Sequence, residues 1–329
     1  MGEMVIERFV DPYTKEPLER DERGNLFRMD GDGRVVYANR DGCNDFVHPD
    51  TDLAKERGFY DDKYSGIESE RLTLHSISRP WVDSIYPHTR FLLESLGDLT
   101  GKKILLLGNG SSFKEFYLLS LGASIIYSDL SIEVVARMRS KFKRADFAGT
   151  WDDSIEFHAI DALHLPFPDG TFDIIYGWGF VHHMEDLDQF LTEVKRCLKE
   201  NGRCRFVDDA YSPLWQFMKR TVLRPVQILF HRKYGVSPED QRATMRGGYR
   251  YEEIVGLKER YGFRDIIFIR KSFFMRIFWR AYSKVFGGDR RSMGRVKPII
   301  RLLNSLDGFL ERTAWMRNNS IFLVWGFDT

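Results

Sequence analysis

An apolar run stops in a turn of small residues at Ile104-Leu105-Leu106-Leu107-Gly108-Asn109-Gly110-Ser111-Ser112. Four consecutive apolar side chains without alternation are typical of a strand that is buried on both faces of a parallel sheet. The glycines that follow allow the backbone to turn sharply and to approach a ligand closely. The pattern therefore predicts a strand, Ile104 to Leu107, that leads into a ligand-binding loop.

A helix is expected directly after this loop. Ser112-Phe113-Lys114-Glu115 fits a Ser-x-x-Glu capping box, which places a helix N-terminus at Ser112. The free backbone N–H groups of such a helix would point at whatever the loop binds. Gly122 can end the helix, and its apolar face is supplied by Phe116, Leu118, Leu119 and Leu121.

Strands and helices alternate along the rest of the chain from Lys102 onward. This alternation predicts an α/β fold with a doubly wound, Rossmann-like sheet. Strands are expected over 104–107, 124–128, 155–160, 172–177, 203–207, 266–269 and 321–325, and helices over 112–121, 132–142, 187–198 and 251–261. Short strands between tight turns predict a small β module in residues 1–50. A helical pattern predicts a cap or linker over 51–100, so the main domain is expected over 101–329.

Composition excludes several classes of protein. With 329 residues and 43% hydrophobic content, the chain can bury a large core and is not a disordered protein. Three cysteines, Cys43, Cys197 and Cys204, are too few and too scattered for a disulfide framework or a four-cysteine zinc site. Cys197 and Cys204 lie inside apolar patterns, so we expect both to be buried thiols. No window approaches the roughly 18 uninterrupted apolar residues of a membrane span, and the N-terminus lacks a hydrophobic leader core. We therefore expect a cytoplasmic protein.

Five motifs follow one another in the order typical of a known enzyme family. They are Gly108-Asn109-Gly110, Asp129-Leu130-Ser131, the run from Asp161 to Asp173, the run from Val181 to Asp186, and the run from Arg196 to Gly202. With them the chain resembles the class I S-adenosylmethionine-dependent methyltransferases over about Gly101 to Val207, particularly the ubiquinone and menaquinone biosynthesis branch. The resemblance implies S-adenosylmethionine as cofactor and methyl transfer to an oxygen, nitrogen or carbon of a small-molecule or lipid-like acceptor.

The resemblance also implies roles for single residues. Asp129 lies about 20 residues after the glycine turn, where an acid can accept hydrogen bonds from both ribose hydroxyls. Asp161 would meet the adenine amino group, with Ala162 and Leu163 framing the ring. For these acids the alternatives are a solvated turn at Asp129 and a turn cap at Asp161. Further cofactor contacts are implied at Gly108, Asn109, Gly110, Leu130, Gly177 and Trp178.

Two positions around the glycine turn qualify this interpretation. Phe113 occupies the place where a dinucleotide-binding turn needs a third glycine, which argues against a nicotinamide or flavin cofactor. Leu106 stands where the family usually carries an acid that orders the loop. A non-catalytic regulatory or scaffold protein that binds S-adenosylmethionine or S-adenosylhomocysteine therefore remains an alternative.

Candidate catalytic residues follow two of the expected strands. His182 and His183 come after the fourth strand of the domain and can titrate near neutral pH. Asp209 comes after the fifth, at the sheet edge where open α/β sheets place ligands. Structural histidines and a solvated turn are the alternatives, because methyl transfer from a sulfonium is an in-line displacement that positioning alone can accelerate.

Two segments outside the minimal fold, 212–250 and 272–317, are expected on the acceptor side. Between 210 and 238 there is no acid, but there are five bases: Lys219, Arg220, Arg224, Arg232 and Lys233. In the second segment apolar residues recur at helical spacing, at Phe274, Ile277, Phe278, Ala281, Tyr282 and Val285, with Arg276, Arg280 and Lys284 on another face. This pattern is typical of a helix on an anionic membrane surface or of a lid packed on the domain. RNA methyltransferase is a third alternative, against which the balanced net charge of +1 argues.

The first 50 residues resemble the zinc-ribbon-like segment that precedes some bacterial methyltransferases. Asp41-Gly42-Cys43-Asn44-Asp45-Phe46 matches the end of that segment, but Asp11-Pro12-Tyr13-Thr14 stands in place of its cysteine pair. Zinc in such sites is held by paired thiolates. The sequence therefore predicts that no metal is bound there.

Overall fold

The computed structural model describes residues 8–47, 57–58, 71–82, 87–147, 149–184, 186–218, 221, 248–278, 282 and 293–329, and the side chains of 79–82, 87–90, 266–271 and 293–295 are not described. The chain divides into two units. The first comprises Met1–Val82, Leu96–Arg205 and Asp328–Thr329, and the second Asp83–Ser95 and Phe206–Phe327. Residues 51–56, 59–70 and 83–86 of the predicted linker, most of the segment 212–250, and all of 279–292 except Tyr282 lie outside the described residues.

A parallel sheet forms the centre of the first unit. Its main strands are β6 (Lys103–Leu107), β7 (Ser124–Asp129), β8 (Ile155–Ala159), β9 (Phe172–Trp178) and the residues up to Arg205 of β10 (Leu198–Asp209), in the order β10-β9-β6-β7-β8. Strand β6 pairs in parallel with both β7 and β9. The chain runs outward from β6 to β8 and then returns to the other side of β6. The carboxyl ends of β6 and β9 therefore form the switch point at which open α/β sheets bind ligands.

Helices α4 (Ile132–Lys143) and α5 (Leu187–Cys197) connect these strands. Each begins at a side-chain cap, because Ser131 accepts a hydrogen bond from the Val134 N–H and Asp186 accepts one from the Gln189 N–H. Their apolar faces are buried, as at Val135. The predicted α/β fold is confirmed. The ends of strands β7 to β10 differ from the predicted bounds by one to several residues. Such differences are usual, because the assigned ends of strands and helices vary by a few residues.

The prediction of one continuous helix over 112–121 is wrong. A 3-10 turn, Lys114–Phe116, leads into a single helical turn, α3 (Tyr117–Ser120). Ser112 does not cap a helix; its hydroxyl donates to the Glu115 carboxylate at 2.6 Å. Glu115 is completely buried and also accepts a hydrogen bond from the Tyr176 hydroxyl at 3.3 Å. Glu115 thus contacts Tyr176 of strand β9 instead of capping a helix that begins at Ser112.

The N-terminal residues form the short strands that the sequence predicts. Strands β1 (Glu19–Arg20), β2 (Leu26–Asp30) and β3 (Gly33–Tyr37) make an antiparallel sheet, and β4 (Asn39–Arg40) pairs with β5 (Cys43–Asp45). Strand β5 then pairs in parallel with β8, with Asn44 opposite His158. Residues 39–45 therefore extend the central sheet of the first unit. Helix α1 (Leu74–Val82) also belongs to this unit.

Asp11 organises the turn that the sequence analysis compared with a metal-binding turn. This buried carboxylate accepts hydrogen bonds from the N–H groups of Tyr13 and Thr14, from Arg28 Nε at 2.6 Å and from the Tyr37 hydroxyl at 2.9 Å. Within the described ranges, no three His, Cys, Asp or Glu side chains are grouped so that they could hold a metal ion. The turn is thus stabilised by hydrogen bonds to one carboxylate.

The second unit contains both strands and helices. Its described elements are α2 (Pro87–Leu96) up to Ser95, the end of β10, α6 (Pro213–Met218), α7 (Tyr251–Tyr261), β11 (Asp265–Ser272), α8 (Met293–Leu310), α9 (Ala314–Asn319) and β12 (Phe322–Asp328) up to Phe327. The strand order is β11-β12-β10. Trp215, Phe273, Met316 and Ile321 form a buried cluster against which Phe274 and Ile277 pack. Among the described helices, none combines the length and the apolar character needed to cross a bilayer.

Candidate functional site

The loop after β6 is held by strand β7. Gly108 and Gly110 have φ values of 60° and 55°, which side-chain-bearing residues rarely adopt. The Asn109 N–H donates to the Ser128 carbonyl at 3.3 Å. The Tyr127 hydroxyl lies within hydrogen-bond distance of the Gly110 and Ser112 carbonyls, at 2.7 and 2.9 Å. These hydrogen bonds fix the conformation of the loop.

The structure brings the glycine loop and Asp129 together, as the spacing in the sequence predicts. Asp129 ends β7 and is 8% exposed. One carboxylate oxygen accepts the Gly110 N–H at 2.8 Å and the other accepts the Ser131 N–H at 3.1 Å. A carboxylate has about four lone-pair sites, so it can accept more hydrogen bonds than these two. Leu130, the next residue, is half-buried beside it.

The Asn109 side chain is the strongest indication of a ligand at this loop. The residue is 6% exposed, yet among the described residues neither its amide nitrogen nor its amide oxygen has a hydrogen-bond partner. Leaving such a group unsatisfied costs about 1–3 kcal/mol for each buried donor or acceptor. A polar ligand that bonds the amide would recover this free energy, and the carboxylate and ammonium groups of an amino-acid-bearing cofactor fit that requirement.

Asp161 forms the turn cap that the sequence analysis left open as an alternative. One carboxylate oxygen accepts the Leu163 N–H at 2.9 Å, and the other lies 2.7 Å from His164 Nδ1. Ala162 lies between them in the same turn and is half-buried. The role of His164 as the partner of Asp161 was missed from the sequence. Its position, three residues after the acid, was the available signal.

Gly177 and Trp178 end β9 beside the loop. Gly177 is opposite Leu107 in the register of the two strands. The Lys114 ammonium lies 3.4 Å from the centroid of the Trp178 ring and 3.1 Å from Glu115 Oε1. A cation on the face of an indole ring is stabilised by the ring quadrupole. The Trp178 face is thus a position where positive charge is favourable.

Phe180 was missed by the sequence analysis, and it explains two of the glycines. A Cβ atom built on Gly108 or on Gly177 would overlap the Phe180 ring. The ring is 8% exposed and packs edge-on against Phe190, with 5.6 Å between the ring centroids. Both glycines therefore have a packing requirement that is independent of any ligand. The large apolar residue just after Gly179 was the only sequence signal for it.

Leu106, at the position where the resembled family carries an acid, is completely buried between Tyr127 and Tyr176 in the strand register. A different carboxylate, that of Glu115, is buried close to the loop and contacts Ser112, Lys114 and Tyr176. Burial and the neighbouring Glu115 charge raise the pKa of Tyr176 well above its usual value, so its hydroxyl stays protonated and donates. A buried carboxyl group, that of Glu115, therefore lies close to the loop although Leu106 carries none.

His182 and His183 lie in a 3-10 turn, Val181–His183, that follows β9. Both are half-buried, and their ring centroids are 4.1 Å apart. Asp209 belongs to the second unit, where its carboxylate pairs with Arg276 Nη2 at 3.0 Å. An ion-paired carboxylate is a weaker base than a free one. The catalytic roles of all three residues stay predictions.

Comparison with known proteins finds matches to the part of the chain that contains the glycine loop and Asp129. The family profile described as "Methyltransferase domain" matches residues 105–206. The ubiquinone/menaquinone biosynthesis C-methyltransferase UbiE of Cellvibrio japonicus is 32% identical over 117 residues, which are 35% of this chain and 45% of that protein. The fatty-acid O-methyltransferase of Mycolicibacterium smegmatis is 31% identical over 156 residues, 46% of this chain and 50% of that protein.

Among solved structures, phosphoethanolamine N-methyltransferase 2 of Haemonchus contortus, in complex with phosphomonomethylethanolamine and S-adenosylhomocysteine, is similar in fold, with a TM-score of 0.51 at 16% identity. The match covers 83% of this chain and 59% of that one. The chain spans about half the length, or less, of the curated relatives named above. Residues 105–206 are thus similar to a class I methyltransferase domain, whereas the ribbon-like resemblance of the first 50 residues gains no support.

Proposed function

We propose that this protein is an S-adenosylmethionine-dependent methyltransferase that acts on a small-molecule or lipid-like acceptor. The observation that carries the proposal is the meeting of three features at the switch point: the loop at Gly108–Ser112, the Asp129 carboxylate and the unsatisfied Asn109 amide. The match of residues 105–206 to a methyltransferase domain and the similarity in fold support it.

The first unit supplies the groups that would hold the cofactor. Asp129 fixes the Gly110 N–H and has acceptor capacity for the two ribose hydroxyls. Asn109 supplies an amide donor and acceptor for the amino-acid end. Asp161 orders the turn in which Ala162 and Leu163 are available to frame the adenine. Leu130, Gly177 and Trp178 complete the proposed set of contacts.

The charged and aromatic groups near the loop suit a cofactor that carries both a positive and a negative charge. The Glu115 carboxylate and the Trp178 ring together stabilise a cation, a role that the Lys114 ammonium fills in the structure. When bound, S-adenosylmethionine supplies an activated methyl group on a positively charged sulfur. The residues of the chain contribute by orienting the reactants and by excluding water, which is most of what an in-line displacement needs.

A general base is needed only for a weakly acidic acceptor. His182 and His183 are the candidates in the first unit, because both are half-buried in the turn that follows β9. Asp209 is the candidate in the second unit, held by Arg276. The relatives named above include a C-methyltransferase of quinone biosynthesis and a fatty-acid O-methyltransferase. On this ground we propose a partly apolar acceptor for this chain.

The second candidate function is a binding protein that retains the cofactor site without transferring a methyl group. The apolar Leu106 favours it, because an ordered acid at that position supports the loop in the resembled family. The two functions differ in what becomes of the methyl group.

One experiment separates these functions. The full chain is purified, co-purifying ligands are identified by mass spectrometry, and isotope-labelled S-adenosylmethionine is then added with fractionated small-molecule and lipid extracts. Label in a product and S-adenosylhomocysteine in stoichiometric amount support the enzyme. Binding with label recovered only on intact cofactor supports the binding protein, and absence of any cofactor binding overturns both.

A further inference from the structure

Helix α8 exposes a continuous apolar stripe. Ile299, Leu302, Leu306 and Phe309 follow one another at spacings of three, four and three residues, which places them within one side of a helix. Their exposed fractions are 47%, 68%, 38% and 82%. Single exposed apolar residues are common, but an aligned row of four large ones on a single helix marks an interaction surface.

The stripe is presented rigidly, because the neighbouring face of α8 is anchored in the second unit. Ile300 is 4% exposed and Asp307 is completely buried. The Asp307 carboxylate accepts hydrogen bonds from the N–H groups of Phe273, Phe274 and Met275, all at 3.0 or 3.1 Å. Asp307 thereby caps the helical turn over 274–278. With this face fixed, α8 cannot rotate to bury its stripe without losing three charge-assisted hydrogen bonds.

Charge indicates what kind of surface fits the stripe. Between Met293 and Leu310 the sequence contains three bases, Arg295, Lys297 and Arg301, and a single acid, Asp307. That acid is buried, whereas Lys297 and Arg301 are exposed. Arg312 and Arg317, beyond the end of α8, are exposed as well. By helical spacing, Lys297 and Arg301 lie on a different side of α8 from the stripe, and Glu311, directly after the helix, is half-buried. The described side chains of α8 expose no acid.

An apolar face combined with cations on a polar face of the same helix complements the interface of a bilayer that contains anionic lipids. Such a helix lies in the plane of the interface, where its apolar side chains enter the acyl boundary and its bases meet phosphate headgroups. We propose that α8 docks the protein on an anionic membrane surface. This proposal is independent of the proposed methyl transfer, since it uses the surface of α8 alone.

Helix α8 lies within the predicted acceptor-side segment 272–317, but outside the part of that segment, 274–285, where the sequence shows apolar residues at helical spacing. In the segment after β11, Phe274 and Ile277 pack against the cluster of Trp215, Phe273, Met316 and Ile321. These two side chains are thus partly buried within the second unit. The exposed apolar face is on α8, nearer the C-terminus.

Vesicle co-sedimentation of the full chain tests the proposal, with vesicles of phosphatidylcholine alone or mixed with phosphatidylglycerol, at low and high salt. We expect binding to the anionic vesicles at low salt and weaker binding at high salt. Replacing Leu302→Ser and Phe309→Ser together should lower the partition coefficient at least ~10-fold, because two large apolar side chains lose their buried area. Replacing Lys297→Gln and Arg301→Gln should lower it ~10-fold on anionic vesicles only.

A matched control is Met29→Ser with Val36→Ser, which removes two exposed apolar side chains from strands of the first unit and should leave partitioning unchanged. Thermal unfolding of each variant confirms that it folds. No binding of the unmodified chain at low salt overturns the proposal. Equal binding by the Leu302→Ser, Phe309→Ser variant also overturns it, as does a concentration-dependent dimer that these substitutions abolish, which would identify the stripe as a contact between two copies of the chain.

Discussion

The Gly110 N–H donates to the Asp129 carboxylate across 2.8 Å, which joins the glycine loop to the end of the neighbouring strand. Under the proposed function Asp129 both shapes the loop and accepts hydrogen bonds from the cofactor, so its charge should matter for binding. Hydrogen bonds to charged groups contribute about 1.5–3 kcal/mol.

Asp129→Asn should therefore raise the Kd for S-adenosylhomocysteine about 10- to 100-fold. Isothermal titration calorimetry measures the change. Asp32→Asn, which removes a carboxylate from the exposed turn between β2 and β3, is the matched control and should bind as the unmodified chain does. An unchanged Kd for Asp129→Asn would show that this carboxylate serves the loop alone.

Asn109→Ala should change stability and binding in opposite directions. Removing an amide that has no partner among the described residues relieves an unsatisfied buried group, so the ligand-free chain should be at least as stable as before, with a gain of up to about 1–3 kcal/mol. The increase in Tm on adding S-adenosylhomocysteine should shrink, because a ligand contact is lost. Differential scanning calorimetry with and without ligand reports both. Lower stability with an unchanged ligand shift would assign the amide to the fold.

Gly177→Ala should destabilise the first unit by about 1–3 kcal/mol, because its methyl group would overlap the Phe180 ring. Adding Phe180→Ala should remove part of that cost, and a double-mutant cycle in urea measures the coupling. Gly256→Ala is the control, since no atom lies within 4 Å of its added Cβ, and it should be neutral or slightly stabilising. Additive costs at 177 and 180 would contradict the contact.

Glu193 makes stability depend on acid pH. Its buried carboxylate pairs with Lys15 at 2.6 Å and with Arg196 at 2.9 Å. Burial raises the pKa of Glu193, but the hydrogen bonds and charges of Arg196 and Lys15 outweigh it, so the pKa is lowered. A lowered carboxyl pKa contributes stability above the unfolded value of about 4.3, and that contribution is lost as pH falls through the folded value.

Glu193→Gln should accordingly lose about 2 kcal/mol of unfolding free energy at pH 7, because the half-buried Lys15 and Arg196 lose the negative charge of their shared buried partner. The difference from the unmodified chain should shrink below pH 4, as measured by urea titrations at several pH values. Asp169→Asn breaks the exposed pair with Arg196, in which Asp169 is 81% exposed, and should cost little at any pH. A pH-independent loss in Glu193→Gln would indicate packing as the cause.

The sequence predicted those features that depend on neighbouring residues. Apolar runs and helical spacing located the strands and helices of the α/β fold to within a few residues, since backbone geometry sets both periods. The spacing from the glycine turn to Asp129 predicted that the two would meet, because consecutive parallel strands place their carboxyl ends at one edge. These inferences need only the local chain and the rules of sheet topology.

Contacts between distant residues decided the rest. Ser112 and Glu115 fit a capping box in the local sequence. The Glu115 carboxylate instead accepts a hydrogen bond from the Tyr176 hydroxyl, 61 positions further along the chain. The Phe180 ring makes glycine necessary at Gly108, 72 positions earlier. Neither contact leaves a periodic signal in the sequence, so no local pattern could reveal it.

The sequence alone thus determined the type and order of most elements, and it predicted the glycine loop and Asp129 as parts of a ligand site. Only the tertiary structure decided which carboxylate is buried beneath that loop, which side chain fills the space over the glycines, and which apolar helix face stays exposed on α8. The reason is physical. Secondary structure follows from interactions within a few residues, whereas burial depends on which surfaces the folded chain brings into contact.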